Sequence, residues 1–332
     1  MRVRVPAKVN LFLSVRGLRE DGYHELVTVL QTVDLHDELT CTLHGSPWAR
    51  AHPAARQLMD LVLSHDGGPE VPGDGSNLVL RAATALLRRL GIAVGDRDAP
   101  AVARPCTRLH LSKNIPVAAG MAGGSADAAA ALVGLDRLWE VDLGRDALAE
   151  LATGLGADVP FCLHGGTALA TGTGTDTVRV LARGEFSWVV CEAPGDGLST
   201  PEVFAAHDAL VAGTAGRAER PSAEPDLVLQ ALRTGDVELL AEGVHNDLQA
   251  AAVQLRPDLA DGLGAVRRAG AVAALVSGSG PTLLGLARDP EHAQAVATAL
   301  DGRFRRVRVV RSAAGGPRIA QVPAGSSAQA PR

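Results

Sequence analysis

Lysine is nearly missing from this chain: of 32 basic side chains, all but Lys8 and Lys113 are arginine. Lysine is ordinarily among the commonest residues. A chain that uses arginine elsewhere keeps lysine where a compact ammonium is needed and a wide planar fork cannot serve. Aromatic residues are also few, at 3% of the chain, and Tyr23 is the only tyrosine. The four cysteines, Cys41, Cys106, Cys162 and Cys191, lack C-x-x-C spacing, which argues against a cysteine-based metal site and for a reduced, cytoplasmic protein. No uninterrupted apolar run approaches the roughly 20 residues of a membrane span. Arg2 and Arg4 make the N-terminus basic, but Lys8 and Asn10 interrupt its apolar run at once, so it does not read as a signal peptide. A net charge of −5 leaves no basic field for nucleic acid or an anionic membrane, and any phosphate site has to be built locally.

At 332 residues, 46% of them apolar, the chain exceeds one ordinary core, and two domains are expected. Period-two patterning predicts strands over 2–5 and 10–15, a turn at Asp21-Gly22, and a return strand over 23–33. Residues 44–76 shift to Gly, Pro and His around a short helical patch near 54–63, an excursion outside the core. Helices are predicted over 77–90, 125–139 and 145–152, a short strand over 109–111, and a hairpin over 167–181 whose Thr-Gly repeats are turn chemistry. A surface connection spans 211–225. Helical pattern covers 227–255 and 259–270, an apolar strand 272–276, and strand and helix patterns continue to about Arg311. The tail, 313–332, lacks periodicity and is expected to be disordered.

Chemistry concentrates in three segments. Pro116-Val117-Ala118-Ala119-Gly120-Met121-Ala122-Gly123-Gly124-Ser125-Ala126 leaves a strand and opens a helix, so unpaired N–H groups and the helix dipole converge on one anion site. It fits neither the P-loop nor the dinucleotide fingerprint. Glycine at 120, 123 and 124 would let a polyphosphate approach the backbone without meeting Cβ atoms, with Ser125 as the helix cap. Asp127 follows, and beside a triphosphate it would repel unless a divalent cation lay between. The other two segments are Pro6-Ala7-Lys8-Val9-Asn10 and Ser277-Gly278-Ser279-Gly280-Pro281-Thr282. No histidine spacing reads as a metal site.

These three segments resemble, in order and spacing, the signature motifs of the GHMP kinases. Residues 6–13 with Asp21-Gly22-Tyr23-His24-Glu25, residues 156–161 and residues 199–204 resemble more narrowly the 4-diphosphocytidyl-2-C-methyl-D-erythritol kinase family. The resemblance covers about residues 1–310. It implies a two-domain α+β fold, with a ribosomal protein S5 domain 2-like part over 1–178 that holds the phosphate loop and a ferredoxin-like part over 179–312. It further implies ATP and a divalent cation, Mg²⁺, as cofactors, and phosphorylation of the C2 hydroxyl of a cytidine diphosphate-linked methylerythritol. Lys8 and Asp158 match the catalytic pair and residues 116–126 the ATP loop. Tyr23 and Phe204 match stacking faces for cytosine, His24 a polar contact to the base, and Thr200 lies nearby. Asn10 and Lys113 match groups near the substrate's phosphates and diol. The rivals are a GHMP kinase for homoserine or mevalonate, against which Tyr23, His24 and Phe204 argue, and a non-catalytic ligand sensor, against which Lys8 and Asp158 argue. Gly120-Met121-Ala122-Gly123 is less glycine-rich than the family's usual loop, and the 44–76 excursion is longer than expected.

Overall fold

The computed structural model describes residues 1–44, 58–95, 105–213, 223–313 and 315–320. In chain order the strands are β1 (Arg2–Leu18), β2 (His24–His44), β3 (Leu58–His65), β4 (Ala93–Val94), β5 (Cys106–Ser112), β6 (Thr167–Thr171), β7 (Asp176–Arg179), β8 (Ser187–Glu192), β9 (His245–Asn246), β10 (Ala273–Val276), β11 (Leu283–Ala287), β12 (Arg306–Arg311) and β13 (Arg318–Ala320). The helices are α1 (Leu78–Arg89), α2 (Gly123–Leu138), α3 (Gly144–Thr153), α4 (Val159–His164), α5 (Thr200–Ala212), α6 (Asp226–Thr234), α7 (Val237–Gly243), α8 (Gln249–Leu255), α9 (Asp258–Arg268) and α10 (Pro290–Ala299). One sheet has the order β13-β1-β2-β5-β3-β4, with β6 joined to β2, β7 to β6 and β9 to β1; the other has the order β10-β11-β8-β12.

β1 and β2 are longer than the alternation predicts. Their antiparallel pairing runs from Arg2–Thr40 to Leu18–His24, with register shifts at Pro6/Ala7, Asn10/Phe12 and Val15/Gly17. Such bulges absorb the sequence irregularities that looked like strand breaks and re-aim the side chains between them. From Val5 to Ser14 β1 is buried on both faces, and it packs in both cores: Val3 to Phe12 join the cluster under α1 and α2, while Leu13 joins the cluster of the second sheet. α1 starts at Asn77, whose side chain accepts from Val79 N–H at 2.9 Å, a standard N-cap bond.

Three expectations change. The helical patch expected near 54–63 is strand over its described part: Asp60 to His65 pair in parallel with β5 and Leu58 and Met59 with β4, with Met59 and Leu61 buried and Val62 exposed, a period-two pattern. Its first residues, 54–57, lie outside the described segments. The long helical stretch 227–255 is three helices and β9, because Gly235 takes φ +76° to close α6 and Asp236 caps α7. The tail is not disordered as far as Ala320, since β13 pairs antiparallel with β1, Arg2 facing Ala320; its remainder, and most of the 211–225 connection, lie outside the described residues.

The two layers meet where β2, the end of β5 and α2 converge. Lys113 Nζ donates to Asp127 Oδ2 at 2.7 Å and to Asp37 Oδ2, and Asp37 Oδ1 accepts the N–H groups of Asn114 (2.6 Å) and Ile115 (2.8 Å). All three side chains are buried. Burial would lower the Lys113 pKa, but Asp127 and Asp37 outweigh it and the net shift is upward. Burial, aided by Asp37 and opposed by Lys113, holds the Asp127 carboxyl well above the usual range. The cluster sets two carboxyl groups against one cation, and Asp127 Oδ1 has no hydrogen-bond partner.

Lys113→Met should cost about 3–5 kcal/mol, because it leaves two buried carboxylates without their counter-ion, whereas Asp127→Asn leaves a balanced Lys113–Asp37 pair and should cost far less. Urea unfolding of both variants checks this, and equal losses would contradict it. With its folded pKa above its unfolded one, Asp127 gives the native state the greater proton uptake. Its contribution is thus complete below the unfolded carboxylate pKa and is lost as pH rises through the raised value. Asp127→Asn should remove that part of the pH slope.

Candidate active site

A cleft of about 920 Å³ opens between the two sheets. Lys8, on β1 between two bulges, reaches its floor with a side chain only 7% exposed. Its Nζ donates to Asn10 Oδ1 at 2.8 Å and stands 3.5 Å from Asp158 Oδ2. Asn10 in turn donates to Thr28 Oγ1 (2.9 Å), which donates to the Phe12 carbonyl (2.7 Å). This chain of buried bonds fixes the direction of the Lys8 stem, since each polar group satisfies the next. Asp158 occupies the N-cap position of α4 but makes no capping bond. Its carboxylate, 37% exposed, is left toward Lys8 and the cleft.

Of the sequence-predicted site residues, Lys8, Asn10, Tyr23, His24, Lys113, Pro116 to Gly120, Ala122 to Ser125, Asp158, Thr200, Phe204, Gly278 and Ser279 all line this cleft. Met121, Ala126, Ser277 and Gly280 do not. Met121 and Ala126 are fully buried beneath the loop, and the Met121 carbonyl accepts the Lys8 N–H at 3.2 Å. Ser277 is buried with its hydroxyl donated to the Gly120 carbonyl at 3.1 Å. Two residues expected at the substrate turn their polar atoms inward: Asn10 braces Lys8, and Lys113 is neutralised by Asp37 and Asp127. Each is on the wall, but burial forces its polar groups to find partners within the protein.

The phosphate loop also differs in detail. The cap of α2 is Ala122, at φ +54°, not Ser125, and it makes no side-chain capping bond, so the N–H groups of the first turn are left without helical acceptors. Packing alone demands glycine at 120, is tight at 123 and leaves ordinary contact distance at 124. A Cβ on Gly120 would lie 1.8 Å from the Ser277 carbonyl oxygen, one on Gly123 would meet Ile115 at 3.1 Å and Lys113 Nζ at 3.2 Å, and one on Gly124 would touch Leu78 at 3.4 Å. Gly120 thus lets the third-motif loop lie directly on the phosphate loop. Asn246 holds that third loop from behind, donating to the carbonyls of Val276 and Gly278, both at 2.8 Å. Sequence reasoning missed Asn246 because β9 is two residues long and lies within a helical pattern.

At the far end of the cleft, His24 stacks on Phe204 with ring centroids 4.7 Å apart and planes at 23°. Tyr23, the other aromatic assigned to the base, stands at the mouth of the same cleft, 67% exposed. His24 Nε2 is 2.8 Å from Asp208 Oδ1. Thr200 Oγ1 and Ser279 Oγ share a hydrogen bond at 2.9 Å, tying the start of α5 to the third loop. Thr173 and Gly174 of the β6–β7 turn also line the wall, as do Thr28, Asp127 and Asp208. Thr173 and Gly174 carried only turn chemistry in the sequence and Thr28 only strand alternation, neither of which marks a site. Among the described residues no cluster of three His, Cys, Asp or Glu side chains could hold a metal ion.

Known proteins with the same features were found at two levels. The family descriptions "GHMP kinases N terminal domain" and "GHMP kinases C terminal" match residues 77–166 and 228–306. A 4-diphosphocytidyl-2-C-methyl-D-erythritol kinase of Salinispora tropica is 47% identical over 322 residues, covering 96% of this chain and 94% of its own. The enzyme of the same name from Nocardia farcinica is 48% identical, with 94% and 93% coverage. A crystal structure of 4-(cytidine 5'-diphospho)-2C-methyl-D-erythritol kinase superposes with a TM-score of 0.71 at 33% identity, over 95% of this chain and all of that one. A homoserine kinase from Cytophaga hutchinsonii reaches 0.67 at 19% identity, a likeness of fold alone. The two-sheet α+β architecture is that of a two-domain GHMP kinase, and the chain belongs to the 4-diphosphocytidyl-2-C-methyl-D-erythritol kinase family.

Proposed function

We propose that the protein is an ATP-dependent kinase that phosphorylates the C2 hydroxyl of 4-(cytidine 5'-diphospho)-2-C-methyl-D-erythritol, giving the 2-phosphate and ADP, in the non-mevalonate route to isoprenoid precursors. One observation carries the reading. A single cleft holds the Lys8–Asp158 pair, an open helix N-terminus and a stacked His24–Phe204 face. Identity of 43–49% to enzymes named for this reaction, over most of the chain, supports the same substrate. Homoserine and mevalonate offer no ring for the His24–Phe204 end.

Phosphoryl transfer asks a protein mainly for positioning and charge stabilisation. The first-turn N–H groups of α2 receive the polyphosphate of ATP, aided by the helix dipole. Asp158 accepts the proton of the attacking hydroxyl as the new O–P bond forms and the bond to the departing ADP oxygen breaks. Lys8, held by Asn10, sets its point charge against Asp158 and the transferring group. A divalent cation, Mg²⁺ by preference for phosphate oxygens, would neutralise charge on the phosphates when bound. The donor set fits it only as a guest of ATP: Asp158, with Asp127 Oδ1 lacking a partner, adds protein oxygens, and no protein cage is present among the described residues. We divide the chain at about residue 178, since β8 begins the second sheet. We place the reaction in the cytoplasm, which the four free cysteines fit. No helix among the described residues is long and apolar enough to cross a membrane.

A coupled ADP-release assay with the cytidine-linked alcohol, homoserine and mevalonate tests the proposal; turnover of homoserine or mevalonate equal to that of the cytidine compound would defeat it. In the same assay Asp158→Asn should lower kcat roughly 10²-fold or more, with KM for ATP little changed. A slight fall would remove the base role. Lys8→Arg should also impair turnover without loss of fold, because the buried slot between Asn10 and Asp158 has no room for a fork, and wild-type kinetics would refute this. Phe204→Ala should raise the acceptor KM about tenfold, the equivalent of roughly 1.4 kcal/mol of lost stacking, while KM for ATP holds. Tyr23→Ala should have the smaller effect, given its exposed position.

A further inference from the structure

Little in its own neighbourhood fixes the place of Asp158. It occupies the N-cap position of α4 without a capping bond, and α4 has only six residues before the chain turns away. The turn is made by Gly165 and Gly166, both at positive φ, +63° and +82°. Two successive residues without Cβ atoms make a pliable joint. The groups that hold this joint hold the far end of α4, and through the short helix they hold the carboxylate that faces Lys8.

Thr32 on β2 supplies those groups. Its N–H donates to the Gly166 carbonyl at 2.9 Å, and its hydroxyl accepts the Gly166 N–H at 3.0 Å while donating to the Ala313 carbonyl at 2.7 Å. The Ala313 N–H returns to the Thr32 carbonyl at 2.8 Å. Thr32 is fully buried, so its hydroxyl depends on these protein partners rather than on water. Beyond Ala313 the chain lies backbone to backbone on the end of α4. A Cβ on Gly165 would fall 2.0 Å from the Gly315 carbonyl carbon, and one on Gly316 would fall 2.4 Å from the Leu163 carbonyl oxygen. The antiparallel register of β1 and β2 also sets Thr32 directly opposite Lys8, where paired Cβ atoms are about 4.5–5.5 Å apart. A closed circuit results. It runs from Lys8 across the ladder to Thr32, through the hydroxyl to Gly166, along α4 to Asp158, and back to Lys8 Nζ over 3.5 Å.

Resting on the proposed roles of Lys8 and Asp158, we infer that Thr32 is a positioning residue for phosphoryl transfer: by pinning Gly166 and the C-terminal segment to β2, its hydroxyl sets where the Asp158 carboxylate stands relative to Lys8. Thr32 itself is not part of the cleft wall, so it acts only through the pair. Without the hydroxyl, the Gly166 N–H and the Ala313 carbonyl lose these partners, and the glycine joint relaxes to find others.

Thr32→Val keeps the shape and removes the hydroxyl, and Thr32→Ser restores it. In the coupled assay Thr32→Val should lower kcat roughly ten- to a hundredfold, the loss expected of a misplaced reacting group. KM for ATP and for the cytidine-linked alcohol should hold, and Thr32→Ser should recover most of the turnover. Because the effect passes through Asp158, adding Thr32→Val to Asp158→Asn should lower kcat little further. Equal losses in the two backgrounds would mark a merely structural residue and overturn the inference, as would wild-type kcat in Thr32→Val or failure of Thr32→Ser to restore it. The geometry is read without turnover: a crystal structure of Thr32→Val should show Lys8 Nζ and Asp158 Oδ2 beyond the roughly 4 Å limit of an ion pair. An unchanged separation overturns the inference even where kcat falls. Absence of turnover by the wild type defeats the kinase reading alone, and the crystal structure then still decides whether Thr32 places the pair. Should Thr32→Val not fold, Thr32→Ala, which also lacks the hydroxyl and puts no methyl against Gly166, goes through the same measurements with the same outcomes decisive.

Discussion

The structure depends on one buried ammonium. Lys113 stands where β2, the end of β5 and α2 meet, and its ammonium donates to Asp37 and to Asp127, holding the two together. Asp37 then reaches onward to the N–H groups of Asn114 and Ile115, which start the phosphate loop. The direction in which that loop leaves the sheet, and hence where the first turn of α2 points, follows from this cluster. Breaking such a buried pair on one side is far more costly than its net favourable contribution. The lysine thus constrains geometry more than it stabilises. The cluster engages Lys113 on both carboxyl groups and leaves Lys8 as the lysine that faces Asp158 in the cleft.

Glycine works the same way on the other side of the loop. Gly120 gives up its Cβ so that the Ser277 carbonyl can lie against it, and Gly197 does so where Ala118 would otherwise come within 2.7 Å. The two halves are in backbone contact across the site. The Gly120–Ser277 and Gly197–Ala118 contacts, together with the Thr200–Ser279 bond, make the loop over 116–126, the third-motif loop and the start of α5 parts of one packed object.

Much of this was legible in the sequence, and the limits are physical. The two lysines stood out because arginine replaced every other one, and both prove to be buried among carboxylates or amides. The fold class and the pairing of Lys8 with Asp158 came from the family resemblance of the motifs. Direction was not legible. That Asn10 reaches Lys8, that His24 lies on Phe204 and that Gly120 makes room for Ser277 all depend on tertiary packing that a one-dimensional pattern does not encode. Strand Leu58–His65 was lost because its surroundings are rich in turn residues, and β9 because two residues have no period. Asp127 was read as a neighbour of phosphate, whereas its nearest charge is Lys113.

β1 receives β2 along nearly its whole length, β9 in parallel at Phe12 and Leu13, and β13 at Arg2 to Arg4. Its partners therefore come from the beginning, the later middle and the far end of the chain. Pairings of such sequence separation are slow to form, and until β13 arrives β1 presents an open edge, the kind of surface that recruits foreign strands. During synthesis the segment that carries Lys8 thus emerges early and has its neighbour at Arg318 only after some three hundred further residues. For this molecule the vulnerable interval is the time between those two events, and whatever shields a nascent apolar strand in the cell has the most to do there.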